Sequence, residues 1–462
     1  MGGVGQKALS MAGRCSDVIF WEMERSPRFY VWLSILAASI LLAGYAFVAS
    51  IFFSMEILEF YTNIPWVMMV SNYVFLVGSS VGLTLVVSLG LVFGLRRYEM
   101  IAKRGLFVAL IAIICGLTSI GLHLGHPERG AIYNVLTPNF RSAMWWMGAL
   151  YPPYILFVAM GYWLLARAEL VRKSRASEGL KAKVYGLMAL EGLKGFLYQR
   201  FPLQRWESGI YRRLPLERLG LSLNSEGVEW RWARIFVTLA LIFGLMGYSV
   251  EGGLFAHVEA RPFWYGPLYP IDFSLGASFC GLAWLMGLSI ITYRVLGEEM
   301  PSELRNLLCE MAEILAILLS AGFLFTVYKM GHGLFEPEKA DIIMLFLKGP
   351  FSMAFWVFEI GIGIILPVCI LLYAARGRKI TGILVASVMV LVGYFVKRYD
   401  FVVASQVYPL IKRQYPLSSH TPTIMEVFLI SGIIGALFLA YTLGVKFLPL
   451  KDKEGRAILT RS

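Results

Sequence analysis

The sequence predicts an all-α polytopic membrane protein with ten transmembrane helices, and three observations carry that prediction. The 462-residue chain is 58% hydrophobic and only 16% charged, whereas soluble chains carry roughly a quarter charged residues. Its mean hydropathy is +0.67. Apolar runs recur at 29–53, 66–94, 105–124, 142–166, 233–258, 271–293, 307–330, 351–374, 380–396 and 424–447. Each suits the roughly 17–25 helical residues that cross a hydrocarbon core, and each is too continuously apolar for a membrane β-barrel.

Taken in order, residues 1–28 form a polar, cytoplasmic N-terminal arm. The first run lacks a small-residue cleavage site and reads as a retained span. With the acidic outer loop of Glu56 and Glu59 it makes up 29–65. Run 2 carries Gly78, Ser79, Ser80 and Gly82, small residues that let helices approach closely. Run 3 leads into a polar stretch, Gly121 to Trp146, and run 4 restarts at Ser142, with Pro152-Pro153 expected to kink it. The basic segment 167–231 reads either as a solvated loop or as one containing an interfacial helix over 182–196. Lys and Arg are concentrated on the side of the termini, even with that long loop set aside, which places both termini in the cytoplasm. The net charge of +12 follows from this asymmetry, and no basic and aromatic groove pattern points to nucleic acid.

Short matches recur in the same order along the chain. Ser79, Gly82 and Leu83 of run 2 recur as Ser278, Gly281 and Leu282 of run 6; Gly125-His126 recurs as Gly331-His332; Ser142, Trp145 and Trp146 recur as Ser352, Phe355 and Trp356. These predict two parallel-duplicated four-helix bundles, helices 2–5 (66–258) and helices 6–9 (259–396), flanked by helices 1 and 10, the last lying within 397–462.

The five cysteines are scattered singly, without the spacing that holds an iron–sulfur cluster. All five histidines, at 123, 126, 257, 332 and 420, fall at the outer ends of runs. A two-haem membrane cytochrome needs axial ligands at both depths. A single outer haem between His123 and His257 stays open, while His332 and His420 read as loop-end hydrogen bonders.

Ionisable residues within a span are costly and are functional candidates by default. Glu251 lies in the outer half of run 5. Glu313 in run 7 and Glu359 in run 8 suggest a proton path, or else protonated carboxyls bonding between helices. Glu310 and Glu426 lie near interfaces and read as ordinary.

The stretch Leu124-Gly125-His126-Pro127-Glu128-Arg129, followed by Pro138-Asn139 and a helix start at Ser142, resembles the LGxPER signature of the polysulfide reductase/NrfD family of membrane subunits. Trp66, Tyr73, Phe75, Gly78 and Gly82 resemble that family's first bundle helix. Ten spans resemble its long branch, the DsrP-like, HybB-like and alternative complex III subunits. His123 stands where many members carry an acid and is similar to the His-x-Gly loops of the last group.

The resemblance implies a respiratory subunit of a prokaryotic cell (inner) membrane with no redox metal of its own. It implies a quinone, menaquinone in the first instance, bound in the first bundle near the outer (periplasmic) face. A ferredoxin-like iron–sulfur subunit would dock above it. Quinol chemistry needs a hydrogen-bond partner at each quinone oxygen and a group to relay protons. His123 and Glu251 are the candidates for proton transfer; Tyr73, Asn72, His123 and Trp145 are candidates for the pocket. Interfacial aromatic packing remains the other reading of Tyr73 and Trp145. Glu128 and Arg129 are candidates for partner docking or for bracing the loop. The competing class is a secondary transporter, for which Gly361, Gly363 and Pro367 in run 8 would mark a broken helix.

Overall fold

In a computed structural model of the chain, residues 27–52, 64–124, 126–190, 226–407 and 422–450 are described. Their elements are helices: α1 (Pro27–Phe52), α2 (Met68–Leu91), α3 (Ala102–His123), α4 (Pro127–Val135), α5 (Ala143–Ala176), α6 (Gly179–Met188), α7 (Glu226–Ala256), α8 (Tyr269–Leu296), α9 (Ser302–Leu334), α10 (Pro337–Leu347), α11 (Leu366–Arg376), α12 (Ile380–Val407) and α13 (Ile424–Phe447). A 3₁₀ turn, Arg96–Ile101, leads into α3, and a π-helical stretch, Ala354–Ile365, leads into α11. Ten of these helices are long and apolar enough to cross a membrane. The N-terminal arm, Glu56, Glu59 and His420 lie outside the described residues.

In lipid there is no hydrophobic force between helices, so packing and internal hydrogen bonds must hold the bundle together. The inner helices are α2 and α8, whose apolar windows are 89% and 83% buried, against 11% for α1. They cross where both lack side chains. A Cβ on Gly82 would strike the Ala277 carbonyl, and one on Gly281 would strike the Gly82 carbonyl. Trp284 Nε1 donates to Ser79 Oγ at 3.0 Å across this crossing. On its other flank α2 binds α5: Tyr154 Oη lies 2.7 Å from Ser80 Oγ and 2.9 Å from Thr84 Oγ1. Tyr248 of α7 fills the notch at Gly78 and Tyr394 of α12 fills the notch at Gly276. Helix α1 packs on α13, where Gly432 and Gly435 face Ala43 and Ser39.

Three local features differ from expectation or refine it. Helix α5 runs unbroken through Pro152 and Pro153. Helix α12 does not end at 396 but continues to Val407, because Lys397, Arg398 and Asp400 find burial inside the protein. Helix α6 covers the first part of the interfacial helix expected over 182–196, and residues 191–196 lie outside the described ones.

The crossing makes a prediction. Gly82→Val should lower the thermal stability of the detergent-solubilised protein by at least about 1–3 kcal/mol through overpacking. Gly121→Ala, where a Cβ meets nothing within 4 Å, should leave it unchanged or slightly raised. Equal melting temperatures for both variants would refute the tight crossing.

Candidate functional site

At the end of the bundle where α3 leads into α4, helices α2, α3, α5 and α7 together with α4 enclose a cavity of about 620 Å³. Each helix contributes residues at helical spacing, so that one stripe of each faces inward. The stripes are Trp66, Val70 and Tyr73; Leu117, Ile120, His123 and Leu124; Met144, Met147, Gly148 and Tyr151; and Glu251, Leu254 and Phe255. Ser142 caps α5 by accepting from Trp145 N at 3.4 Å. The Trp145 indole then donates to the Asn134 carbonyl at 3.0 Å, fastening α4 over the cavity.

The polar groups form a chain along the inner wall. Tyr73 Oη lies 3.3 Å from both Tyr151 Oη and Met147 Sδ. Tyr151 Oη donates to Glu251 Oε2 at 2.5 Å. Glu251 is 1% exposed, and its Oε1 has no hydrogen-bond partner among the described residues. A buried acceptor of this kind is costly to leave unmatched. The His123 imidazole stands on another wall of the cavity.

Tyr73, His123, Trp145 and Glu251 thus come together around one cavity. Asn72 does not line it. Its amide donates to Ser119 Oγ at 3.2 Å and clamps α2 to α3. Arg129 stands at the mouth and Glu128 on the outer rim, where Glu128 pairs with His126 at 3.0 Å. Its own backbone N–H, with help from His126 and Arg129, holds the Glu128 carboxyl below the usual range. His257 bonds its own helix, at the Gly253 carbonyl. Among the described residues no cluster of three or more His, Cys, Asp or Glu could hold a metal ion.

Glu313 and Glu359 do not form one cluster. Glu313 is exposed on α9, whereas Glu359, in the π-helical stretch, is buried and lies 3.5 Å from Lys397. Lys397 also reaches Asp272 at 3.2 Å, and Asp272 lies 3.4 Å from the fully buried Arg398. Arg398 in turn stacks over Phe273 and bonds Tyr394. Lys397 and Arg398 escaped sequence reading because they fall just past the apolar run 380–396, and Asp272 because it stands at the very start of run 271–293, where a charge passes for an interfacial one. A signal did exist: Gly247-Tyr248 and Glu251 in α7 recur as Gly393-Tyr394 and Lys397 in α12. Tyr151 also escaped, since a tyrosine in an apolar helix announces nothing by itself.

Comparison with known proteins adds three findings. The family described as Polysulphide reductase, NrfD matches residues 56–409. A selenate reductase subunit of Mesobacillus selenatarsenatis is 24% identical over 401 residues, covering 84% of this chain and 87% of that protein. The Hdr-like menaquinol oxidoreductase integral membrane subunit of Archaeoglobus fulgidus is 21% identical over 443 residues, covering 92% of this chain and 94% of that protein.

The buried ion network carries a stability prediction. Asp272→Asn removes the carboxylate shared by Lys397 and Arg398 and should destabilise the protein by about 3–5 kcal/mol, as breaking one partner of a buried pair does. Thermal unfolding in detergent reads this directly. An unchanged melting temperature would mean the network contributes nothing.

Proposed function

The chain belongs to the polysulphide reductase NrfD family, and on that premise we propose that it is the quinone-binding membrane subunit of a multi-subunit respiratory oxidoreductase. It exchanges electrons between the membrane quinone pool and an iron–sulfur partner on the outer face. The observation that carries this reading is Glu251 Oε1, a buried acceptor without a protein donor in a cavity of about 620 Å³. That volume lies within the roughly 300–1,000 Å³ of small-molecule sites.

A bound quinol supplies two electrons and two protons on oxidation. The chain's own residues bind, orient and relay. Glu251 Oε1 accepts from one quinol hydroxyl and takes its proton, while Tyr151 holds the other carboxylate oxygen and so aims it. Tyr73 braces Tyr151 and presents its hydroxyl beside the same ring position. His123, on another wall, serves the second oxygen. Trp145 and Trp66 supply flat walls, and Glu128 and Arg129 form the collar on which the partner docks. The menaquinol oxidoreductase name of one relative supports menaquinone as the quinone, and the other relative, itself a reductase subunit, supports membership of a complex.

The two bundles, 66–258 and 259–396, are copies of one unit in this reading, with both termini cytoplasmic. Supporting this, Gly82 and Gly281 meet at the crossing, and each histidine loop leads into a short helix that opens Pro-Glu. Aligning the copies sets Tyr73 against Asp272, His123 against Lys329 and Glu251 against Lys397. The second copy therefore carries charges where the first carries the pocket, and it serves proton movement through Glu359 in place of a second quinone. Against the transporter alternative, which rests on the repeat and the intramembrane acids and predicts a broken helix, the chain stays helical, π and then α, through Gly361, Gly363 and Pro367.

Menadione, a naphthoquinone, should quench the fluorescence of Trp145 and Trp66 saturably in the wild type. Glu251→Gln and His123→Gln should each lower quinol-linked electron transfer in membranes holding the complex by about 10²–10⁴-fold, the usual worth of a general base. Tyr73→Phe should cost less. Full activity in Glu251→Gln would sink the pocket assignment. Glu359→Gln should reduce proton release from energised vesicles while leaving menadione quenching intact.

A further inference from the structure

A second cavity, of about 230 Å³, lies between the segment that joins α7 to α8, the last turns of α9 and the start of α10. It owes its shape to a close return of the chain. A Cβ on Gly333 would strike the Ile343 side chain, so α10 lies tight against the end of α9, and Lys339, one turn before Ile343, comes to line the cavity together with Lys329. An aromatic wall is fixed from two sides: Phe263 stacks on Phe346 of α10 at 4.9 Å, and its carbonyl accepts from the Tyr269 hydroxyl. Lys329 Nζ stands 5.8 Å from the Phe263 ring and 5.2 Å from the Tyr269 ring. Cation–π contacts of this length hold an ammonium in place without neutralising it.

The charges around this cavity do not balance. Glu336 is the one carboxylate among the lining residues, and both its oxygens are taken, Oε1 by His332 Nδ1 at 3.0 Å and Oε2 by Lys339 Nζ at 2.7 Å. Asp272, in the first turn of α8, is held by Lys397 and Arg398. No carboxylate among the described residues pairs with Lys329. Two lysines against one carboxylate leave a net positive charge, and Lys339, an ammonium with three donors, can hold Glu336 and still bind an anion. A lysine placed within a span and given no partner by the chain is a candidate for one from outside.

Size and position say which anion. The volume falls below the roughly 300–1,000 Å³ of sites for drug-sized ligands, and suits a small polar group. The mouth opens onto the exposed face of a membrane-spanning helix: Tyr328, which lines the cavity, is itself exposed, and Leu324 and Ile317 continue that face along α9 at helical intervals. Such a stripe suits an acyl chain, and a soluble anion has no use for it. Basic pockets between transmembrane helices hold lipid head groups in this way.

We propose that this cavity holds the phosphate of an anionic phospholipid, with Lys329 and Lys339 on the phosphate oxygens and an acyl chain along Tyr328, Leu324 and Ile317. The proposal is independent of the quinone reading, since the two cavities share no lining residue.

Native mass spectrometry of the full-length protein, titrated in detergent with phosphatidylglycerol or with phosphatidylcholine of the same chains, counts the bound lipids and gives their Kd. The wild type should retain one phosphatidylglycerol in preference to phosphatidylcholine. Lys329→Gln should weaken that lipid roughly tenfold or more, the worth of a hydrogen bond to a charged group, while Lys329→Arg, which keeps the charge, should hold it. Lys348→Gln removes an exposed lysine from the other end of α10 and should change nothing. Should Lys329→Gln not accumulate, Lys339→Gln should show the same loss. Equal phosphatidylglycerol affinity in the wild type and the Lys329 and Lys339 variants overturns the proposal, as does a loss of the same size in Lys348→Gln or equal retention of phosphatidylcholine. Displacement of the lipid by millimolar inorganic phosphate would make the cavity a site for the free ion and overturn the lipid assignment.

Discussion

The contact between Gly82 and Gly281 is the constraint on which the rest of the structure depends. At that point the backbones of α2 and α8 touch, and neither helix has room for a side chain. Bulk must therefore come from the outer neighbours, and a tyrosine supplies it on each side. Tyr248 enters the notch at Gly78 and Tyr394 the notch at Gly276. Each tyrosine fixes the rotation of its helix. One turn further along stand Glu251 and Lys397, and their inward orientation follows from the same fit.

The two sides then diverge in how they meet the cost of buried polarity. Lys397 itself is answered by Asp272 at 3.2 Å and Glu359 at 3.5 Å, with Arg398 beyond Asp272, while Asp400 nearby keeps both carboxylate oxygens without a hydrogen-bond partner among the described residues. What separates this side from the other is space: the cavity beside Glu359 is only about 20 Å³, room for about one water. Around Glu251 the carboxylate is answered at one oxygen only, and the space in front of the other is large. An incomplete hydrogen-bond inventory beside an apolar cavity is the physical mark of a site completed by something from outside.

What was legible in the sequence follows the range of the physics behind it. The spans were legible because crossing a hydrocarbon core is a demand on composition alone. Tyr73, His123, Trp145 and Glu251 were legible as members of one site because each sits at the outer end of its own span. Asn72 could not be sorted from Tyr73 by proximity in the chain, since neighbours on a helix point about 100° apart; it faces Ser119 instead of the cavity. Lys397 and Arg398 were hidden for a different reason. Whether a charge can lie within a span depends on a partner from another helix, here Asp272, which sits more than a hundred residues away. Glu426 was half legible: its capping box is local, and its bond from Met68 N at the start of α2 is tertiary.

The same distinction bears on how the two halves meet at the crossing. Tyr248 and Tyr394, the residues that fill the two glycine notches, both bring a buried hydroxyl to the crossing. Tyr394 also receives Arg398, and Tyr248 Oη reaches the Val74 carbonyl at 3.1 Å. The packing device that lets α2 and α8 touch thus also places buried hydroxyls between the cavity side and the ion network. A helix crossing built from large apolar side chains would have sealed the two halves from each other. The glycines require tyrosine-sized fillers, and burying those fillers requires partners for their hydroxyls, which they find in the Val74 carbonyl and in Arg398.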